Sequence, residues 1–333
     1  MQTAGVSATA ADLQIREYRE TDEPAVLELL QASLGWVPDA QYGRFFAWKH
    51  RENPFGRSPA WVAVDGERIA GFRIFLRWEF ERAGRVSRAV RAVDTATHPD
   101  YQGQGIFSRL TLHAIDELRR DGVAFVFNTP NDQSRPGYLK MGWQPVARLP
   151  VLFRPRSVGS LLAVARARVP AEKWSLPTEA GLPAIDALGD HEGVAALLAR
   201  CPDDRLRTRR TPEFMAWRYG FAPLAYRVML AGEQLGDGIV VFRLRRRGAA
   251  VEAAVCDVIV PDEHRFGLTG LLRKLLDVSR ADYAVRIGGR HAARAGSYPL
   301  PGQGPTLVWR SVSDTVMAHA DEWRLALGDV ELF

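Results

Sequence analysis

Cysteine is almost missing from this chain: Cys201 and Cys256 are the only two in 333 residues. Two thiols cannot staple a fold of this size, and neither stands at C-x-x-C or C-x-H spacing from another ligand. A disulfide framework and a metal centre are therefore not expected, whereas a reducing, cytoplasmic setting is. Both cysteines read as buried, small apolar side chains. Lysine is scarce too, occurring only at positions 49, 140, 173 and 274, so arginine carries the net charge of +5. No apolar run approaches the roughly 18 residues of a membrane span, and none is expected. The opening stretch, Met1 to Ala11, has neither a basic nor an apolar segment, which points away from secretion.

What is present is ordinary in bulk and informative in detail. An apolar fraction of 47% with 25% charged residues is that of a soluble globular protein, and 333 residues are enough for two cores. Arginine gathers at Arg205 to Arg210 and at Arg243 to Arg247. Neither cluster has the interleaved aromatics or the named motif of a nucleic-acid module. Both read as a solvated basic face, and nucleic acid is not an expected partner.

The chain repeats itself. Phe45-Phe46-Ala47-Trp48-Lys49 returns as Phe214-Met215-Ala216-Trp217-Arg218, Asp94 has a counterpart in Asp257, and Pro99, Asp100, Gly105 and Leu110 correspond to Pro261, Asp262, Gly267 and Leu272. A duplicated domain is the economical explanation. The expected division is 12–150, a linker over 151–182 with a short helix from Val158 to Arg168, a second copy over 183–315, and a tail over 316–333 that is helical from Ala318 to Leu327. Each copy reads strand, helix, helix, three strands, helix, strand. The passage Val90 to Phe127 is strand–helix–strand, which implies one parallel pair in an otherwise antiparallel sheet. The fold class is α+β, with two tandem domains, each a mixed, mostly antiparallel sheet flanked by helices.

The densest signal lies at the end of the strand of residues 90–97. The run Thr97-His98-Pro99-Asp100-Tyr101-Gln102-Gly103-Gln104-Gly105-Ile106-Phe107 leads into Ile106, Leu110, Ala114 and Leu118, spaced as one helix face. A glycine-rich loop at a helix start exposes backbone N–H groups to phosphate oxygens and adds the positive end of the helix dipole. Downstream, Asn131 is followed seven residues later by Tyr138-Leu139-Lys140-Met141-Gly142-Trp143.

Together these residues resemble the GNAT superfamily of acyl-coenzyme A-dependent acyltransferases. The family signature is Gln or Arg, two residues, Gly, one residue, then Gly or Ala. Gln102 to Phe107 fits it except at the end, where Phe107 replaces the small residue. The family also carries an asparagine after its fifth strand, then a tyrosine that opens Tyr-x-Lys-x-Gly-aromatic. The resemblance covers residues 12–150. The second copy is degenerate: Gly267 survives, but His264 to Thr269 lacks the other loop glycines.

The resemblance implies acetyl-coenzyme A, or another acyl-coenzyme A, as co-substrate and no metal. Amides of Gln102, Gly103, Gln104, Gly105, Ile106, Phe107 and Ser108 would hold the pyrophosphate, and the pantetheine arm would pair with the strand edge Thr95-Ala96-Thr97, left free where the fourth and fifth strands splay. Asn131 would bond the arm or the loop, or cap a helix. Tyr138 is the expected general acid for the departing thiolate, or else a core aromatic. Asp94 lies by period two on the face of Ala96 and His98, and would take the amine proton or hold the fold by pairing with Arg91 or Arg73. Glu79 and Glu81 are alternatives for the base. His50 and His98 read as surface or turn residues, and Trp48 and Trp217 as core anchors. The implied activity is N-acyl transfer to a primary amine of a small or sugar-linked acceptor, by direct attack, since no serine or cysteine sits in a nucleophile motif. A non-catalytic acyl-coenzyme A sensor or scaffold, and a transferase using aminoacyl-tRNA, are the competing readings.

Overall fold

The computed structural model describes residues 13–34, 39, 41–160, 169–261, 267–288, 296–300 and 302–331. Parts of the expected linker helix, and Asp262 and His264 to Phe266 of the second loop, lie outside them. The chain divides into two units: Met1–Glu79, Ser87–Pro145 and Val308–Met317 in the first, Phe80–Val86, Val146–Leu307 and Ala318–Phe333 in the second.

The first unit runs β1 (Gln14–Glu17), α1 (Glu23–Leu34), α2 (Gln41–His50), β2 (Ala60–Asp65), β3 (Arg68–Arg82), β4 (Arg85–Thr97), α3 (Ile106–Arg120), β5 (Phe125–Asn128), α4 (Arg135–Lys140) and β6 (Gln144–Arg148). Strand alternation in β2 sorts its side chains between two cores: Trp61 and Ala63 join the core with Ile106, Leu110, Ala114 and Leu118 of α3, while Val62 and Val64 join the core with Val26, Leu30 and Phe46 of the first two helices. The expected apolar face of α3 is buried along its length. Truncating one of its leucines to alanine costs about 2–5 kcal/mol at such sites.

β4 and β5 are parallel, and they pair only through Ala89, Val90 and Arg91 against Phe125, Val126 and Phe127. Beyond Arg91, β4 continues six residues to Thr97 without a β5 partner among the described residues. The splay that the resemblance implies is present. At Asp94 the strand takes a left-handed backbone, φ +40°. A non-glycine residue there interrupts the pleat, so period two does not carry Asp94 onto the face of Ala96.

The second unit contains β7 (Val151–Pro155), β8 (Leu182–Pro183), α5 (His191–Ala199), β9 (Leu206–Thr208), α6 (Pro212–Gly220), β10 (Arg227–Leu230), β11 (Ile239–Arg247), β12 (Ala250–Ile259), α7 (Leu268–Ser279), β13 (Tyr283–Ile287) and β14 (Tyr298–Pro299). Its sheet runs β14-β7-β13-β12-β11-β10-β8, again with one parallel pair, β12 with β13. Both sheets are therefore mixed and mostly antiparallel, flanked by helices.

Four expectations are corrected. The stretch expected to open the linker is β7, which pairs with β13 of the second sheet. The strand β15 (Thr306–Ser311), expected in the second copy, pairs through Val308–Ser311 with β5 of the first sheet. Short apolar runs specify a strand but not which sheet receives it. The tail is no helix from Ala318 to Leu327: it makes a turn at Ala320–Glu322, a short strand at Trp323–Arg324 and a helical turn at Leu327–Val330. Nor do the arginine clusters form a solvated face. Arg210 pairs with Asp257 at 2.6 Å and Asp329 at 3.1 Å, Arg207 with Glu81 at 2.8 Å, and the fully buried Arg243 with Glu331 at 3.3 Å. Of the two cysteines, Cys256 is buried, which pushes its thiol up to about 12, whereas Cys201 is half-buried.

Candidate active site

The loop is built to leave backbone exposed. Tyr101 buries its ring and donates its hydroxyl to Asp65 at 2.6 Å, which fixes the 3₁₀ turn Pro99–Tyr101 that enters the loop. Gly103 and Gly105 follow with φ of +76° and +74°, and a Cβ at either would meet nothing within 4 Å. These glycines answer to backbone conformation, and the space beside them is open. The first helical bond of α3 runs from Arg109 N–H to Gly105 O at 3.1 Å, which leaves the amides of Ile106, Phe107 and Ser108 at the unpaired helix start. Gly71 on β3 brings that start close to the sheet: a Cβ there would lie 2.6 Å from Ile106 Cγ2. The arrangement fits a diphosphate on main-chain amides.

Phe107, the departure from the family pattern, turns its ring away from the loop. It meets Tyr138 edge-on, 5.3 Å between ring centroids, and lies against Gly137, where a Cβ would come within 3.0 Å of Phe107 Cε1. A large residue at 107 is accommodated by the absence of one at 137. Tyr138 is thereby placed beside the loop motif, buried to 5% exposure, with Trp143 at 5.1 Å on another side. Its Oη accepts a hydrogen bond from Arg73 Nη1 at 2.9 Å, so its own proton is free for another acceptor. The same Nη1 donates to Thr95 Oγ1 on the splayed part of β4. Tyr138, Arg73, Thr95 and Phe107 thus form one cluster. Ala96 is buried, and Thr97 O accepts from Ser33 Oγ at 3.2 Å. Gln102 is exposed, and Gln104 buries its Oε1 without a partner among the described residues. Asn131 acts as a cap: its Oδ1 accepts from Ser134 N at 2.9 Å and from Ser134 Oγ at 2.8 Å, just before α4.

Asp94 is elsewhere in character. Its side chain is 7% exposed and pairs with Lys49 Nζ at 2.7 Å and His50 Nε2 at 2.8 Å, neither of them the arginine partner expected. Burial alone would raise this carboxyl, but Lys49 and His50 outweigh burial and hold it well below the usual carboxylate range. A carboxylate in that state accepts a proton poorly. His50, expected at a surface or turn, is buried at 2% exposure, and its Nδ1 lies 3.0 Å from Ser58 Oγ. Of the alternatives, Glu81 pairs with Arg207 in the second unit and Glu79 is half-buried on β3. Trp48 and Trp217 are buried, as expected of core anchors. Two cavities, of about 530 Å³ around Arg210, Cys256 and Asp257 and about 280 Å³ around Tyr18, His50 and Ser58, are lined by neither the loop nor Tyr138. The loop is an open cradle, and enclosure is no guide to it. Sequence reasoning missed Arg73, Lys49 and His50, whose signal was only that charged residues interrupt otherwise apolar segments.

Comparison with known proteins agrees with this geometry. Residues 14–146 match the family model described as acetyltransferase (GNAT) domain. No curated protein matches the chain in sequence. Among solved structures, it is similar to a probable N-acyltransferase of unknown function from Enterococcus faecalis, at TM-score 0.64 and 12% identity, covering 90% of this chain and 73% of that one. A GCN5-related N-acetyltransferase from Anabaena variabilis gives TM-score 0.64, 13% identity and the same coverages. Eis1 from Mycobacterium abscessus gives 0.57 and 15%, again over 90% and 73%. At such identities the likeness is one of fold, and it extends over both units. No helix among the described residues is long and apolar enough to cross a membrane. Family match and fold converge on the first unit: residues 14–146 match an acetyltransferase (GNAT) domain, and the likeness of fold covers 90% of the chain.

Proposed function

We propose that this protein transfers an acyl group, acetyl in the first instance, from acyl-coenzyme A to a primary amine of a small or sugar-linked acceptor, by direct attack with both substrates bound. Acyl-coenzyme A supplies an activated thioester. The residues that would receive it are those of the first unit. Amides from Gly103 to Ser108 hold the pyrophosphate, favoured by the start of α3, whereas the Gln102 amide, also expected there, is taken by Pro99 O at 3.3 Å. The edge at Thr95, Ala96 and Thr97, without a β5 partner among the described residues, offers main-chain groups to the pantetheine amides, as an added strand would, with Thr97 O shared with Ser33 Oγ. Asn131 fixes the turn that presents α4 and needs no contact with the coenzyme. Tyr138 gives its proton to the departing sulfur, the attacking nitrogen releases one to solvent as the amide forms, and Arg73, already donating to the phenol oxygen, offsets the charge left behind.

Asp94 we assign to the fold. In the second unit Tyr219, one helical place removed from the repeat-matched Arg218 as His50 is from Lys49, donates to Asp257. An aspartate bonded to its helix in both copies, including the one without the loop motif, serves what the copies share. The observation that carries the functional reading is the juxtaposition of open loop and buried phenol through Phe107. The burial of Tyr138 also favours a second reading, an acyl-coenzyme A binder that does no chemistry. Calorimetric titration with coenzyme A, followed by a thiol-release screen of amino sugars, amino acids and polyamines, tests both. Binding with thiol release supports transfer, binding without release supports the sensor, and absence of binding removes both.

A further inference from the structure

Arg73 is a buried charge of the first unit with no acidic partner among the described residues. It stands mid-strand on β3, fully buried. Nη1 is engaged by Tyr138 Oη and Thr95 Oγ1, but Nε and Nη2 donate to nothing among the described residues. Three rings surround the guanidinium carbon: Phe75 at 4.3 Å, Tyr138 at 5.4 Å and Phe107 at 5.6 Å. Aromatic faces return only part of the hydration that a buried cation gives up. The rings soften that loss and leave two N–H donors unmet.

The second unit contains the finished version of the same arrangement. Arg218 is as deeply buried and also gives Nη1 to a tyrosine, Tyr226 Oη, at 2.9 Å. There, however, Nε reaches Gly328 O at 3.0 Å and Nη2 reaches Glu331 O at 2.8 Å. At Arg218 two main-chain oxygens thus complete that edge of the guanidinium. At Arg73 those two oxygens are missing.

The Nε–H and Nη2–H bonds leave one edge of the planar group side by side, spaced for the two oxygens of a carboxylate. We propose that this edge of Arg73 recognises a carboxylate on the ligand processed beside Tyr138. The carboxylate is borne either by the amine acceptor, which is then an amino acid, or by the acyl group, which is then a dicarboxylic monothioester. Phe107, the half-buried wall of the cage on the first turn of α3, is the side chain that turns aside to admit it. The inference rests on the acyltransferase reading and narrows it.

The test uses the full-length protein and matched ligand pairs in binding calorimetry. One arm compares amino acids with the amines that lack only their carboxylate, on protein saturated with coenzyme A. The other compares succinyl-coenzyme A with butyryl-coenzyme A. In one arm the carboxylate-bearing member is expected to bind at least about 30-fold tighter. Arg73→Lys, which keeps the charge and loses the fork, is expected to bring that ratio below about fivefold while coenzyme A still binds. Wild-type ratios within about threefold in both arms, no binding by any pair member, or a preference untouched by Arg73→Lys overturns the proposal; the wild-type ratios stand even if the variant does not fold. Failure of coenzyme A itself to bind instead removes the acyltransferase reading.

Discussion

His50 Nε2 lies 2.8 Å from Asp94 Oδ2, buried, with the Lys49 ammonium 2.7 Å from the same oxygen. Two consecutive residues at the end of α2 thus grip one carboxylate at the irregular point of β4. The pin joins a helix of one face to the strand that carries the candidate site.

The imidazole gives the pin a pH signature. Burial, partly opposed by the Asp94 charge, holds His50 below its ordinary value in the folded state. The unfolded chain then binds a proton that the folded one refuses. Stability from this group is complete above the unfolded value near 6.5 and falls as pH drops below it, by at most about 1.4 kcal/mol per pH unit. Thermal unfolding of wild type and His50→Gln from pH 7.5 to 5 is expected to show a steeper fall in wild type. Parallel curves contradict the assignment.

Asp94→Asn is expected to destabilise by about 3–5 kcal/mol, because it strands the buried Lys49 ammonium. Coenzyme A binding, measured on whatever fraction remains folded, is expected to persist within about threefold. Unchanged stability with abolished turnover would instead return Asp94 to the role of base.

Tyr138→Phe removes a hydroxyl and keeps the ring that packs on Phe107 and Trp143. Turnover is expected to fall about 10²-fold or more with little change in coenzyme affinity. A loss of less than about threefold takes the acid role away from Tyr138.

Gly103→Ala meets no neighbour, so its effect comes from backbone. An alanine at φ +76° costs about 1–2 kcal/mol and puts a methyl into the open cradle. Coenzyme A affinity is expected to drop about tenfold or more while the melting temperature moves only a few degrees, measured by calorimetry and thermal unfolding.

Much of this was legible before any coordinates. The spacing of Ile106, Leu110, Ala114 and Leu118 is local and periodic, and local periodicity survives folding. Loop glycines announce themselves because only glycine takes their backbone cheaply. The partner of a buried charge is different: nothing near Arg73 in the chain points to Tyr138, sixty-five residues on. Asp94 misled because period two assumes a regular pleat, and its own left-handed backbone interrupts that pleat. The traffic of β7 and β15 was hidden for a related reason, since Leu152-Phe153 and Leu307-Val308-Trp309 suit either sheet equally well.

Amide hydrogen exchange with and without saturating coenzyme A tests the central claim most directly. Slowed exchange confined to Gly103–Ser108 and the end of β4, with α7 unchanged, is the expected result. Protection that appears only in the second unit, or a bound coenzyme that leaves the amides of Gly103 to Ser108 exchanging as before, would contradict the placement of the diphosphate and with it the site.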